Sequence, residues 1–249
     1  MKKTLVVSNH ANHDLEWLKM TYDYGFSPEN TVIYDRTPDD FPNKSKIDHL
    51  GKVIKYPNIG SNPHDIGRYI VDHYDDLPDV MVHVKGNLLV KPYTTKENFI
   101  YGLKANWIVP LVDNNSNCAI SFPYITNNDL FSLPVSWEKD NITIGRIFSD
   151  DDIKKMKIYP RIKNFVEFMQ DVFIMEDYQI PKFITFAPGA NYVVPKNCIL
   201  KYSKNFYKKI LHYTDYNNNP VEAHWYERIF QMAWQGCLEE NTSYYSELK

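Results

Sequence analysis

The sequence predicts an α/β fold with a largely parallel sheet, and three observations carry that expectation. Four short runs, at residues 3–8, 31–34, 52–56 and 80–84, have the length and β-branched content of strands. Segments with apolar residues at helical spacing follow the first and third runs. The loops after the runs carry Asn, Asp, Ser and Gly, the residues expected where a strand gives way to a turn or a helix. Strand–helix–strand alternation of this kind implies parallel pairing with right-handed crossovers.

Residues 3–8 form the opening strand. Residues 12–22 read as a helix, with Leu15, Leu18 and Tyr22 on one face. Residues 31–34 form the second strand, which ends at Asp35-Arg36 and runs into a polar loop at 37–46. The third strand is 52–56. A helix at 62–74 carries Ile66, Tyr69, Ile70 and His73 at helical spacing, and Pro78 stops it. The fourth strand, 80–84, leads into Lys85, Gly86 and Asn87. A helix is expected at 97–104. Residues 111–150, rich in Asn, Pro and Ser, read as a long excursion with short strands. Residues 151–170 read as one helix broken near Pro160. Two strands are expected within 183–194, around the Pro188-Gly189 turn. Helices are expected at 196–213 and 222–235, and the polar tail after Gly236 is expected to fray. With no internal repeat or linker, 1–249 reads as one domain.

Composition narrows the function classes. Hydrophobic content of 43% and charged content of 24% are ordinary for a soluble globular chain. A net charge of −3 argues against a general nucleic-acid binder. Cys118, Cys198 and Cys237 fit no disulfide framework or zinc spacing, so a reducing, cytoplasmic setting is expected. Residues 4–7 are too short for a signal-peptide core, and no apolar run approaches a membrane span.

In α/β proteins, ligands bind at loops on the carboxyl ends of strands. Here those loops pair polar side chains with glycine, which suggests a nucleotide or nucleotide-sugar site. Ser8, Asn9 and His10 follow the first strand and suit a base or ribose contact, or a plain capped turn. Asp35 and Arg36 follow the second, as ligand contacts or as a solvated ion pair. Asn58 and Gly60 precede a helix start that offers free N–H groups to an anion. His64 and Arg68 lie one turn apart on that helix. His83, Lys85, Gly86 and Asn87 close the fourth strand, where Lys85 either neutralises a diphosphate or reaches water. On the last helix, His224 and Glu227 share a face and are the candidates for a general base, against the alternative of a plain surface helix. His10, His13, Asp14 and His64 supply metal-ligand chemistry without a recognised spacing.

Several motifs, in order, resemble an uncharacterised family of glycosyltransferase-like domains found in fungi, bacteria and large DNA viruses. They are Asp14-Leu15-Glu16-Trp17-Leu18, Pro57-Asn58-Ile59-Gly60 and Tyr74-Asp75-Asp76-Leu77-Pro78-Asp79, then Pro188-Gly189-Ala190, Phe206-Tyr207 and Glu227-Arg228-Ile229-Phe230. The chain departs from that pattern at Ser61-Asn62, where the family has Arg-Glu. Asp65-Ile66-Gly67 and His83-Val84-Lys85 are similar to segments of the bacterial rhamnan-synthesis transferases. Both resemblances imply a GT-A-like fold, with a Rossmann-like nucleotide-sugar-binding half at 1–110 and an acceptor half at 111–236, ahead of the polar tail at 237–249. They further imply a glycosyltransferase acting on a nucleotide-sugar, a UDP-sugar by preference, with a glycan or glycoprotein acceptor. Gly189, Ala190, Asn191 and Tyr192 would shape the acceptor side. Lys85 stands where many such enzymes carry a metal-binding Asp-x-Asp. Inverting transfer without a required cofactor is therefore expected, although a divalent metal such as Mn²⁺ is compatible. The other readings are a metal-dependent hydrolase built on the His/Asp group and a binding module without turnover.

Overall fold

The computed structural model describes residues 1–10, 13–42, 45–90, 94–111, 118–121, 132–133, 146–147, 165–176, 183–216, 218 and 220–243. The strands, in chain order, are β1 (Lys3–Asn9), β2 (Thr31–Asp35), β3 (Lys52–Lys55), β4 (Val80–Lys85), β5 (Val109–Pro110), β6 (Cys118–Ser121), β7 (Ser132–Leu133), β8 (Arg146–Ile147), β9 (Phe183–Phe186) and β10 (Tyr192–Pro195). The α-helices are α1 (Ser61–His73), α2 (Lys96–Leu103), α3 (Phe165–Val172), α4 (Lys196–Ile199), α5 (Lys204–Thr214) and α6 (Val221–Gln235).

Six strands form the main sheet in the order β3-β2-β1-β4-β10-β5. The first four are parallel, as their alternation with helical segments predicts. β10 runs antiparallel to both β4 and β5. Two small ribbons, β6 with β9 and β7 with β8, stand apart from it.

Strand periodicity divides the apolar side chains between the two faces of the sheet. Val6, Tyr34, Met81 and Val194 face a layer built from α1, α3, α5 and α6, which supplies Ile70, Phe168, Phe206 and Trp225. Leu5, Val7, Ile33 and Val82 face Leu18, Phe26 and α2's Phe99. Each such side chain, fully buried, contributes about 1.5–3 kcal/mol. Phe230 stacks on Trp234 with ring centroids 4.6 Å apart, one helical turn along α6.

Three expectations change. The segment after β1 is a 3₁₀ helix, Glu16–Tyr24, rather than an α-helix. Its start is pinned, because Asp14 Oδ1 accepts from Glu16 N at 2.9 Å and Trp17 Nε1 donates to Gly86 O at 3.0 Å. The tighter winding spans more distance per residue, about 2.0 against 1.5 Å. The helix expected at 196–213 is split into α4 and α5, since Ser203 turns out of the helix to accept from Phe206 N at 3.3 Å and cap α5. β9 and β10 flank the Pro188-Gly189 turn as expected; β9 pairs with β6, and β10 enters the main sheet.

The tail is docked as far as it is described. Glu240 accepts from Ser203 N at 2.8 Å and from Ser203 Oγ at 2.6 Å, and Asn241 donates to Gln170 O at 2.8 Å. Most of the expected excursion at 111–150 and most of the helix at 151–170 lie outside the described residues; α3 covers the end of the latter. Among the described residues, no helix is long and apolar enough to cross a membrane.

Candidate functional site

The strand order reverses between β1 and β4, since the chain runs outward from β1 through β2 to β3 and returns to β4 on the other side. Ligands of open α/β sheets bind at such a switch point, beyond the carboxyl ends of the strands. The residues after β1, β2 and β4 meet there. Gly86 N donates to Ser8 O at 2.8 Å and Arg36 N to Asn9 O at 2.8 Å, so the three tips are held at one level.

Asn9 sits at the centre of this group. Its Nδ2 donates to Asp35 Oδ1 at 3.0 Å. A carboxylate only accepts, so the amide orientation is fixed and Oδ1 faces away from Asp35. Oδ1 is buried and has no partner, and a Cβ on Gly86 would come within 2.9 Å of it. Asp35 also accepts from Thr37 N at 3.1 Å and from Lys55 Nζ. Burial opposes ionisation of Asp35, but the bonds from Lys55 and Thr37 outweigh it and hold the carboxyl below its usual range.

Arg36 is 3% exposed. Its Nη2 lies 3.2 Å from Asp65 Oδ2 and its Nη1 donates to Ile59 O at 3.3 Å, while Nε has no partner. Asp65, fully buried on α1, is raised to about 6, because burial outweighs the attraction of Arg36. Asn87 Oδ1 and His10 Nδ1 are likewise buried without partners. Burial, then Arg36, Lys85 and His13, lower His10 to about 4.

Two histidines expected to touch a donor are instead engaged on both ring nitrogens. His83 Nδ1 donates to Ala190 O at 2.7 Å, since a carbonyl only accepts, so Nε2 accepts from Ser8 Oγ at 2.9 Å. The Thr214 hydroxyl donates to Ile210 O at 2.7 Å, so it accepts from His64 Nδ1 at 2.7 Å, and His64 Nε2 accepts from Tyr56 OH. Burial first, and nearby cations second, push His64 to about 3; burial also dominates at His83, which falls to about 3. Both rings are neutral struts. Ser8, fully buried against His83, shares that task.

The remaining candidates lie on several elements. Gly60, at φ +72, begins α1 where a Cβ would overlap His64. Asn58 is exposed ahead of that turn. Arg68 lies over the Tyr56 ring at 5.6 Å. Asn191 Oδ1 accepts from Lys85 N at 2.8 Å. Tyr192 is buried against Trp234, and its hydroxyl accepts from Ala187 N at 2.6 Å, which makes it a core prop rather than a wall of the acceptor side. His224, on α6, is lowered to about 3 by burial, then Arg228 and Lys85. Glu227 Oε1 lies 3.8 Å from Arg228 Nη1. Lys85 thus stands near His10, His83 and His224, between the strand tips and α6.

Among the described residues, no group of three or more His, Cys, Asp or Glu side chains could hold a metal ion. His64, with both nitrogens engaged, is unavailable to the His10, His13 and Asp14 group.

Sequence reasoning missed Lys55, Thr37 and Asn62. Lys55 had a readable signal: β2 and β3 pair in parallel with Asp35 opposite Lys55, so charges closing adjacent strands meet in register. Asn62, whose Nδ2 donates to Gly189 O at 3.1 Å, had none, because its partner lies far along the chain.

Fold and site together define a mixed α/β protein with a cluster of buried polar side chains at the switch point of a mostly parallel sheet. A family model described as "Protein of unknown function (DUF3431)" matches residues 5–248, and the chain belongs to that family. No curated protein and no solved structure matches the chain.

Proposed function

We propose that this chain is a glycosyltransferase that moves a sugar from a nucleotide-sugar, a UDP-sugar in the first instance, to a glycan or glycoprotein acceptor. The observation that supports this best is the set of buried polar atoms without partners at the tips of β1, β2 and β4: Asn9 Oδ1, His10 Nδ1, Arg36 Nε and Asn87 Oδ1. Buried polar groups are nearly always paired, so a site that leaves four open calls for a polar ligand. Asn9 Oδ1 only accepts. It suits a ribose hydroxyl or a base N–H and excludes an unprotonated phosphate oxygen. Lys85, at the tip of β4, suits the diphosphate and would stabilise the leaving group as a point charge. The β3-β2-β1-β4 half of the sheet supports a nucleotide-binding half. β10 and α6, beyond β4, supply the side expected to take the acceptor in a GT-A-like arrangement.

A thermal-shift screen with UDP-, GDP- and dTDP-sugars tests this. Ligand at ~100 times its dissociation constant stabilises by about 2.7 kcal/mol. One nucleotide class should raise the melting temperature, and Lys85→Ala should remove most of the shift from a nucleoside diphosphate while sparing that from uridine. If none of the three classes shifts the melt, the proposal is wrong.

A further inference from the structure

Residues 187–191 connect the ribbon strand β9 to β10, and their backbone is unusual. Gly189 has φ +76, and Ala190, which carries a side chain, has φ +56. A non-glycine residue in this region is strained and persists only where its surroundings hold it, most often at functional sites. Three hydrogen bonds from two elements, β4 and α1, hold this one. His83 Nδ1 on β4 donates to Ala190 O at 2.7 Å, and Asn62 Nδ2 on α1 donates to Gly189 O at 3.1 Å. Lys85 N donates to Asn191 Oδ1 at 2.8 Å. The result is a rigid shelf beneath the Lys85 side chain. A Cβ on Gly189 would overlap Lys85 Cδ and lie 3.1 Å from Cγ. The lysine stem therefore rests on the one residue in the shelf that has no side chain.

We infer that Gly189 is a positioning residue that sets the path of Lys85, with His83 and Asn62 fixing the shelf on which the lysine lies. The inference rests on the nucleotide-sugar reading for the ligand, a diphosphate, but not for the contact itself. A lysine carries four rotatable bonds and points nowhere in particular unless its stem is packed. Packing it on a glycine in a stapled loop confines the ammonium before a ligand arrives, which preserves the affinity that ordering would otherwise cost.

Gly189→Ala, Lys85→Ala and the double variant form the test, read by melting temperature and by UDP titration, with uridine as the control lacking phosphate. Gly189→Ala should lower the melting temperature by about 2–4 °C or more, from backbone strain and overlap together. Adding Lys85→Ala should restore part of that loss, because the overlap goes with the stem. Each single variant should bind UDP about tenfold more weakly or worse. The double variant should be no worse than Lys85→Ala, and uridine binding should stay level throughout. Additive melting losses overturn the positioning role, whatever the chain binds. UDP affinity unchanged by Gly189→Ala, in a wild type that binds UDP, overturns it too. A coupled melting cycle in a wild type that binds no nucleoside diphosphate upholds the positioning role and rejects the nucleotide reading instead.

Discussion

At the scale of single residues, chemistry here depends on which atoms are already committed. His64 and His83 have the right residue type and the right loops for ligand contact, yet every ring nitrogen is engaged within the protein. Asn9 is the opposite case, because fixing its Nδ2 on Asp35 leaves Oδ1 open. Commitment also decides between the two candidate bases on α6. A group lowered to about 3, as His224 is, has little driving force to take a proton near neutral pH. On the glycosyltransferase proposal, Glu227, partly exposed one turn away, is the base to test. Glu227→Gln should cut sugar transfer by about 10²–10⁴-fold and leave donor binding intact. Transfer by the wild type should persist in EDTA. Retained activity in Glu227→Gln moves the base elsewhere, and loss in EDTA with recovery in Mn²⁺ removes the metal-free clause. The sequence could nominate all these residues by type and position. It could not show which were committed, because their partners lie up to 150 positions away, as Thr214 does from His64.

At the scale of elements, legibility followed locality. The four parallel strands and α1 were readable because apolar periodicity and stop signals are local. The pairing of β10 was not, since an antiparallel strand entering beside β4 leaves no mark at Pro188-Gly189 that differs from a hairpin turn. The docked tail was equally hidden, because its polarity is that of a frayed end. Its function as a clasp is testable. Glu240 accepts two bonds from Ser203, the residue that also caps α5. Glu240→Ala should destabilise the protein by about 1–3 kcal/mol, measured by urea unfolding. A variant within about 0.5 kcal/mol of wild type would show that the clasp contributes nothing.

At the scale of the whole molecule, four histidines are held neutral. His10 is lowered from 6.5 to about 4, and His64, His83 and His224 to about 3. In the unfolded chain all four take up protons near pH 6.5, while the folded protein does not. Their contribution to stability is therefore complete above pH 6.5 and is lost as pH falls toward the folded values. Asp65, raised from 3.8 to about 6, acts in the opposite sense: its contribution is complete below 3.8 and lost as pH rises through 6. One such group does not offset four. Stability should fall steadily between pH 6.5 and about 4, by up to about 1.4 kcal/mol per pH unit for each histidine, and His64→Gln should make that slope shallower. Urea melts across this range measure it, and a flat profile would mean that the rings are not neutral struts.

The position of β10 has a consequence for synthesis. β4 and the lysine at its tip emerge from the ribosome early, but the strand that covers β4's open edge, and the asparagine that receives the Lys85 amide, come more than a hundred residues later. A growing chain that stops before them carries all four parallel strands with one flank of β4 bare. Such an edge is prone to pair with other chains. The group at the strand tips is thus completed only once β10 has been made, and a product that stops before it lacks its shelf along with the cover for that edge.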